Sequence, residues 1–348
     1  MKNFFSHTID FSATLRDGLI AINEISDDML CLFVIDSLNR LVGTVTDGDI
    51  RRALISGILL TDNIGLSMNK NFVKVDFDNV SLIDIKSYRK RGIKLLPCID
   101  KNGSICNVYN LVTKQSILPV DAVLMAGGKG ERLRPLTDKV PKPLLKVGDK
   151  PIIDYNIDRL LKFGIEHIHV TVNYLAEQIE SHFKDDREGV FVNCVREPEY
   201  LGTIGAVKFI RNFHHDTVLV MNSDLFTNID LEEFYDQFSR NGSDMCIAVV
   251  PYSVSVPYGI FDLDGNSIMG LQEKPTYNYY ANSGIYLIKR NLFELIPDGT
   301  FFNVTDLIEI LISRNYKVTR FPLLGYWIDV GKPEEFRKVQ ELASHFKI

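Results

Sequence analysis

The sequence lacks a paired cysteine motif, a long apolar run and an excess of positive charge, and each lack removes a class of protein. Its five cysteines (31, 98, 106, 194 and 246) stand apart with no CxxC spacing. That argues against a zinc ribbon or a disulfide framework and suits small buried thiols in a reducing compartment. No stretch approaches the roughly 18 apolar residues of a membrane span. The N-terminus, Met1 to Asp10, has no apolar signal core and carries an early acid. Lys and Arg number 39 against 45 Asp and Glu, a net charge of −6, so a nucleic-acid binder relying on phosphate neutralisation is not expected. Neither GxSxG nor HExxH occurs, which removes the nucleophile elbow of serine hydrolases and the helix-borne zinc site. What remains is a soluble, cytoplasmic chain whose 348 residues are enough for two domains.

The most informative segment is Leu124-Met-Ala-Gly-Gly-Lys-Gly-Glu-Arg-Leu-Arg-Pro-Leu-Thr137, followed by Pro141-Lys-Pro-Leu-Leu145. An apolar run empties into a glycine-rich loop crowded with Lys129, Arg132, Arg134, Lys139 and Lys142. Glycines let backbone N–H groups close on an anion, and the cations supply countercharge, so the loop suits a polyphosphate. It is not a P-loop, because no Gly-Lys-Ser/Thr follows at the required spacing. Nor is it the dinucleotide fingerprint, since Gly128-x-Gly130 runs on into Glu131, Arg132 and Leu133 without a third glycine.

From Asp121 onward strands and helices alternate. Strands are expected at 122–125, 167–172, 191–195 and 217–221, with helices at 151–164, 175–183 and 203–211. The first helix carries Pro151 near its start and Gly164 at its end. Such alternation predicts an α/β fold with a mostly parallel, Rossmann-like sheet, whose ligands lie beyond the carboxyl ends of the strands. Val220-Met-Asn-Ser-Asp224 and Tyr326-Trp-Ile-Asp329 each end an apolar strand in a carboxylate. Two such carboxylates facing a phosphate-gripping loop suit Mg²⁺, which prefers hard oxygens and shares its coordination with substrate phosphates. His214-His215 reads as a surface loop.

The first ~120 residues have a different grammar and repeat themselves weakly. Leu32-Phe-Val-Ile-Asp36, a turn, and Leu41 to Thr46 form one expected hairpin; Leu96-Pro-Cys-Ile-Asp100, a turn, and Ser104 to Tyr109 form the other. A helical pattern precedes each, over 13–24 and 80–91, and Asp47 to Ile55 reads as a further helix closed by Gly57. With Gly43-Thr-Val-Thr46-Asp-Gly-Asp49, this half resembles a tandem pair of CBS motifs. The resemblance implies a smaller α+β regulatory or oligomerisation domain over 1–119. It places Thr46 and Asp49 at the ribose and phosphate of an adenine nucleotide. On the residues alone the two merely cap a helix. The second copy lacks Thr-x-x-Asp, so one clean site is the most to expect.

The second half, 120–348, closely resembles the sugar-1-phosphate nucleotidyltransferases, with their GT-A-like fold. The resemblance implies magnesium-bound aspartates at Asp224 and Asp329, and catalytic roles for Arg132, Lys142, Asp224 and Lys274. Nucleotide contacts fall on Ala126, Gly127, Gly128, Gly130, Asn173, Glu197, Gly202 and Thr203. Sugar-phosphate contacts fall on Gly259, Glu273, Lys274 and Asn282. The expected partners are a nucleoside triphosphate and a sugar 1-phosphate, with no membrane and no nucleic acid. The wording Val172-Asn-Tyr-Leu-Ala-Glu-Gln-Ile179 and the CBS fusion look most like guanylyltransferases for hexose or hexosamine phosphates in glycan or nonulosonate biosynthesis, glucosamine 1-phosphate among them. GTP is therefore favoured, with UTP, dTTP and CTP open, and a homodimer or higher homo-oligomer is implied. The alternative from another class is a catalytically silent nucleotide or sugar-phosphate sensor.

Overall fold

A computed structural model describes residues 4–25, 29–76, 82–187 and 190–345. The chain divides into two compact units. One holds Met1–Leu118, Lys162–Gly164 and Glu188–Val190, and the other Pro119–Leu161, Ile165–Arg187 and Phe191–Ile348.

In the first unit, β1 (Thr8–Asp10), α1 (Leu15–Glu24), β2 (Cys31–Ile35), β3 (Leu41–Thr46) and α2 (Asp47–Ile55) precede β4 (Val75–Asp76), α3 (Leu82–Lys90), β5 (Leu95–Ile99) and β6 (Ile105–Asn110). The expected start of α3 at Val80 lies outside the described residues. The repeat read from the sequence recurs in the topology. β1 runs parallel to β2 and β2 antiparallel to β3, while β4 runs parallel to β5 and β5 antiparallel to β6. The register shifts at matching places, between Val34 and Ile35 and between Cys98 and Ile99. The two turns also use one device: Asp36 Oδ1 accepts from Leu38 N and Arg40 N, and Asp100 Oδ1 accepts from Asn102 N and Ser104 N. Phe33, Leu41 and Ile99 pack in one apolar cluster that draws on both copies.

The second unit is built on a seven-stranded sheet ordered β11-β10-β7-β12-β17-β14-β18. In chain order the elements are β7 (Asp121–Ala126), the short β8 (Lys146–Val147) and β9 (Lys150–Pro151), α4 (Ile152–Lys162), β10 (Ile168–Val172), α5 (Ala176–His182), β11 (Val192–Arg196), β12 (Thr217–Asn222), β13 (Leu225–Thr227) and α6 (Leu231–Arg240). The remainder is β14 (Met245–Ser255), β15 (Ile260–Asp264), β16 (Ser267–Gln272), β17 (Thr276–Lys289), α7 (Val304–Ser313), β18 (Val318–Pro322), β19 (Trp327–Asp329) and α8 (Pro333–His345). β11, β10, β7 and β12 are parallel neighbours, and β17 is the antiparallel intruder between β12 and β14. Burial on both faces explains the near-continuous apolar character of these strands: β10 is buried at every residue, and Val123, Val218 and Val220 are 0% exposed in a cluster that includes Leu307 and Leu311 of α7.

At the amino edge of the parallel strands sits a charge that the apolar pattern conceals. Asp121 is 0% exposed. Its Oδ2 accepts from the backbone N–H groups of His214 (2.6 Å) and His215 (3.2 Å), and Oδ1 lies 2.7 Å from His215 Nδ1. The His pair expected on a surface loop is thus a structural clasp. Burial pushes the Asp121 carboxyl up, but the His215 ring and the two N–H donors outweigh it and hold it below the usual carboxylate range. A depressed carboxyl stabilises the fold above its unfolded pKa of about 4, and that contribution is lost as the pH falls through the lower folded value. Asp121→Asn is expected to cost about 3 kcal/mol at pH 7, as a broken buried pair does. Urea unfolding should show it, with the gap to the parent closing in acid; an equal gap at pH 7 and pH 3 would contradict this account.

Candidate active site

Four parallel strands deliver their carboxyl ends to one place. β7 leads into Gly127, β10 into Asn173, β11 into Glu197 and β12 into Asp224. They border a cavity of about 650 Å³ whose wall also includes Lys129, Arg132, Lys142 and Asp329. Every residue assigned from the sequence to the nucleotide and the metal lies on that wall: Ala126, Gly127, Gly128, Gly130, Asn173, Glu197, Gly202, Thr203, Asp224 and Asp329.

The cationic end is set by short-range rules. Gly130 turns the loop with φ +64°, a left-handed value that favours glycine, and the Thr137 hydroxyl donates to its carbonyl at 2.9 Å. Leu133 then plugs a core with Leu145, Val147 and Val330. Arg132 lies against Gly331, where an added Cβ would stand only 3.0 Å from a guanidinium nitrogen. Pro141 (φ −63°) leads into a single 3₁₀ turn, Lys142–Leu144, that buries Lys142 to 8% exposure. The ammonium pairs with Asp224 and lies 3.7 Å from Asp329.

The two carboxylates meet because β13 and β19 pair antiparallel with Leu225 opposite Asp329, and Val330 N donates to Asp224 O. The loop bearing Asp224 is braced from below. Ser223 N and Oγ both donate to Met125 O, and the buried Asn156 amide donates to Ser223 O and Leu225 O. Asn156 and Ser223 were not singled out from the sequence, because nothing local marks a polar residue that serves a loop about 70 residues away. Burial and the neighbouring Asp224 push the Asp329 carboxyl up, with Lys142 and Arg132 pulling against them.

This pair fits Mg²⁺. Asp224 Oδ1 is buried without a hydrogen-bond partner, as a ligand oxygen would be, and both donors are hard. Among the described residues no group of three or more His, Cys, Asp or Glu side chains could hold a metal alone. Two carboxylates therefore need substrate oxygens to complete a coordination sphere, the usual arrangement for Mg²⁺.

The same wall also carries Asn173, Glu197, Gly202 and Thr203. Asn173 Nδ2 donates to Glu197 O at 3.4 Å, and Glu197 is 4% exposed, its carboxyl pushed up by burial. Gly202 has φ +80°, and a Cβ there would stand 2.6 Å from Phe302 O. The expected helix over 203–211 is instead a short 3₁₀ turn, Gly205–Phe209. Thr203 does not cap it: its hydroxyl accepts from Val304 N at 2.9 Å, at the start of α7. Two glycines within four residues and a capping group used elsewhere leave that segment little reason to form an α-helix.

The residues expected around the sugar phosphate are not on the wall. Gly259 and Glu273 adjoin one another, with an added Gly259 Cβ 3.0 Å from Glu273 Oε2. They flank the β15–β16 hairpin, whose side chains are largely exposed. Lys274 follows at φ +46°, and Asn282 Oδ1 accepts from Gly284 N within β17. In the first unit, Thr46 lines a cavity of about 530 Å³ with Asn69, Asn71, Arg91 and Lys94. Asp49 is not on that wall; its carboxylate accepts from Thr46 N and Oγ1 and from Arg52.

Comparison with known proteins agrees with this geometry. The nucleotidyl transferase family profile matches residues 121–345. A bifunctional protein GlmU of Methanocaldococcus jannaschii is 34% identical over 222 residues, 62% of this chain and 52% of that protein. A mannose-1-phosphate guanylyltransferase of Mycobacterium tuberculosis is 31% identical over 226 residues, 62% of each. The chain thus spans about half to three fifths of these relatives' length. The crystal structure of HddC from Yersinia pseudotuberculosis superposes with TM-score 0.52 and 27% identity, covering 64% of this chain and 99% of that one. The same protein complexed with GMP-PN gives 0.50.

Proposed function

The chain belongs to the nucleotidyl transferase family, and from that membership and the cavity we propose that it joins a nucleoside triphosphate to a sugar 1-phosphate, giving a nucleoside-diphosphate sugar and pyrophosphate. The observation that carries the reading is the cavity itself: a glycine-rich loop, the basic side chains Lys129, Arg132 and Lys142, and the paired carboxylates Asp224 and Asp329 share one wall at the strand ends. A sugar-1-phosphate oxygen attacks the α-phosphorus, and the α–β bridging P–O bond breaks as pyrophosphate leaves. Little covalent work falls to the protein; positioning and charge stabilisation dominate. Arg132 and Lys142 neutralise the α-phosphate and the departing pyrophosphate. No general base is required, because the attacking oxygen is already ionised near pH 7. Asp224 and Asp329 would hold Mg²⁺, which would supply Lewis-acid stabilisation of phosphoryl charge. Gly259, Glu273, Lys274 and Asn282 are assigned to the sugar phosphate by resemblance, Lys274 holding the nucleophile's phosphate.

GTP is the favoured nucleotide, supported by a guanylyltransferase among the relatives and a GMP-PN complex among the structural neighbours. The acceptor is a hexose or hexosamine 1-phosphate. The first unit reads as a CBS pair over 1–119, supported by its repeated topology and by the cationic residues Arg91 and Lys94 on its cavity. An adenine nucleotide is its proposed ligand, reached by Thr46 rather than by Asp49. Isothermal titration with AMP checks that site, and absence of heat would leave a spacer or dimerisation role.

Pyrophosphate release tests the main reading: GTP, UTP, dTTP, CTP and ATP against a panel of sugar 1-phosphates, with and without Mg²⁺. Turnover with one pair establishes the reaction. Nucleotide binding with no release for any pair would leave a sensor.

A further inference from the structure

The two hairpins of the first unit share a bulge but not its chemistry. In β2–β3, Val34 pairs with Gly43 and Ile35 with Leu41, so Val42 is the extra residue. In β5–β6, Cys98 pairs with Asn107 and Ile99 with Ile105, so Cys106 is the extra residue. Val34 and Val42 pack in one apolar cluster. Hydrocarbon therefore satisfies the fold at these two positions, and the second copy places thiols there instead. Cys98 Sγ and Cys106 Sγ stand 3.7 Å apart, and the Cys106 thiol also donates to Cys98 O at 3.4 Å. A bulge re-aims a side chain, and this one turns Cys106 onto a sulfur across the strand pair.

The two thiols are not equivalent. Cys98 is 0% exposed in a cluster with Leu96, Tyr109 and Leu111, whereas Cys106 is open to solvent. Burial, with Cys106 alongside, pushes the Cys98 thiol up to about 12. Cys98 thus keeps its proton and is the poorer thiol to begin an exchange, since the thiolate is the nucleophile. An accessible thiol backed by a second one in contact suits a capturing and a resolving cysteine.

We propose that Cys98 and Cys106 form a reversible disulfide, Cys106 capturing a low-molecular-weight disulfide such as oxidised glutathione and Cys98 resolving the adduct. In the first step the Cys106 thiolate attacks one glutathione sulfur, the glutathione S–S bond breaks, and one glutathione leaves as a thiolate. In the second, Cys98 gives up its proton and attacks Cys106 Sγ, the mixed S–S bond breaks, and the other glutathione leaves. The two protein thiols lose two electrons and two protons, and the two glutathiones gain them. The sulfurs must close from 3.7 Å to about 2 Å. Cys106 is well placed to move, because the extra residue of a bulge is unpaired in the ladder.

The test treats the full chain with oxidised glutathione at neutral pH, quenches it in acid, and follows intact mass, free thiols and linked peptides. Of its five thiols, two should disappear, the mass should fall by two hydrogen atoms, and one peptide link should join Cys98 to Cys106. Dithiothreitol should restore all five. Cys98→Val and Cys106→Val copy the valines of the first hairpin, so both should stay folded. Cys98→Val should retain one glutathione on Cys106, and Cys106→Val should leave Cys98 unmodified. Five thiols left free in the unaltered chain, or a stable glutathione adduct on its Cys106, would overturn the proposal. A link from Cys106 to any other cysteine would overturn it too, and these outcomes are read on the unaltered chain whether or not the variants fold. Glutathione on Cys98 in Cys106→Val would remove Cys106 from the capturing role and sink the assignment.

Discussion

Asp224→Asn is expected to lower kcat/KM by 10³-fold or more while leaving the chain folded. The substitution keeps the shape at the end of β12 but replaces an oxygen proposed to bind the metal and removes one of the two carboxylates, Asp224 and Asp329, that lie beside Lys142. Stabilisation of developing charge in a preorganised, water-poor site is the largest single contribution to most such reactions, and one lost group commonly costs 10²–10³. On the proposed Mg²⁺ site the same change would also weaken the metal, so the two losses would compound. The backbone bracing is independent of the side chain: Ser223 still bonds to Met125, and Asn156 to Ser223 and Leu225. The thermal midpoint should therefore stay within a few degrees of the parent, since loss of the Lys142 ion pair is offset by relief of the repulsion between Asp224 and Asp329. A variant retaining more than a tenth of the parent's kcat/KM would place the metal elsewhere.

How much of this could be read from the sequence depends on where each residue finds its partner. The glycine-rich loop, Arg132 and Lys142 were legible because glycine spacing, a proline and adjacent basic residues act within a few positions of one another. Asp224 and Asp329 were legible singly, as carboxylates closing apolar strands. Their meeting depends on the β13–β19 register, which pairs residues about a hundred positions apart and leaves no local trace. The same limit explains the misreadings. Thr203, at the start of the helix expected over 203–211, instead accepts from the first N–H of α7, 101 residues on. His214-His215 looked like a polar loop because the carboxylate it serves, Asp121, sits 93 and 94 residues earlier at the start of an apolar strand.

The N-terminal half shows the converse. Its repeat was legible since each copy carries a complete local device, an apolar strand ending in an Asp that closes a tight turn. The assignment of Asp49 to a ligand met a competing local use: a capping box with Thr46 and an ion pair to Arg52 occupy its carboxylate. Thr46 alone reaches the cavity. Capping chemistry and ligand chemistry draw on the same side chains at a helix N-terminus, and sequence spacing does not separate them.

Lys142→Met is expected to fail differently from Asp224→Asn, and the difference bears on what Lys142 is for. The methionine keeps most of the buried stem, which lies so near Gly130 that a Cβ added there would stand 3.1 Å from Lys142 Cβ, and deletes only the charge. Turnover should fall about 10²–10³-fold, because the cation facing the transferred phosphoryl group is lost. Binding of Mg²⁺ should move the other way. The ammonium pairs with Asp224 and approaches Asp329, so it competes with a divalent ion for the same two carboxylates. With the ammonium gone, those carboxylates face each other beside Arg132, and a dication becomes the better counter-charge. The concentration of Mg²⁺ that half-saturates nucleotide binding should therefore fall in Lys142→Met and rise in Asp224→Asn. If both variants raise it, Lys142 positions the metal site rather than sharing its carboxylates, and its ion pair with Asp224 is structural. If Lys142→Met lowers it while losing turnover, the lysine guards the carboxylates until substrate phosphates and metal arrive, then turns to the phosphoryl group they bring.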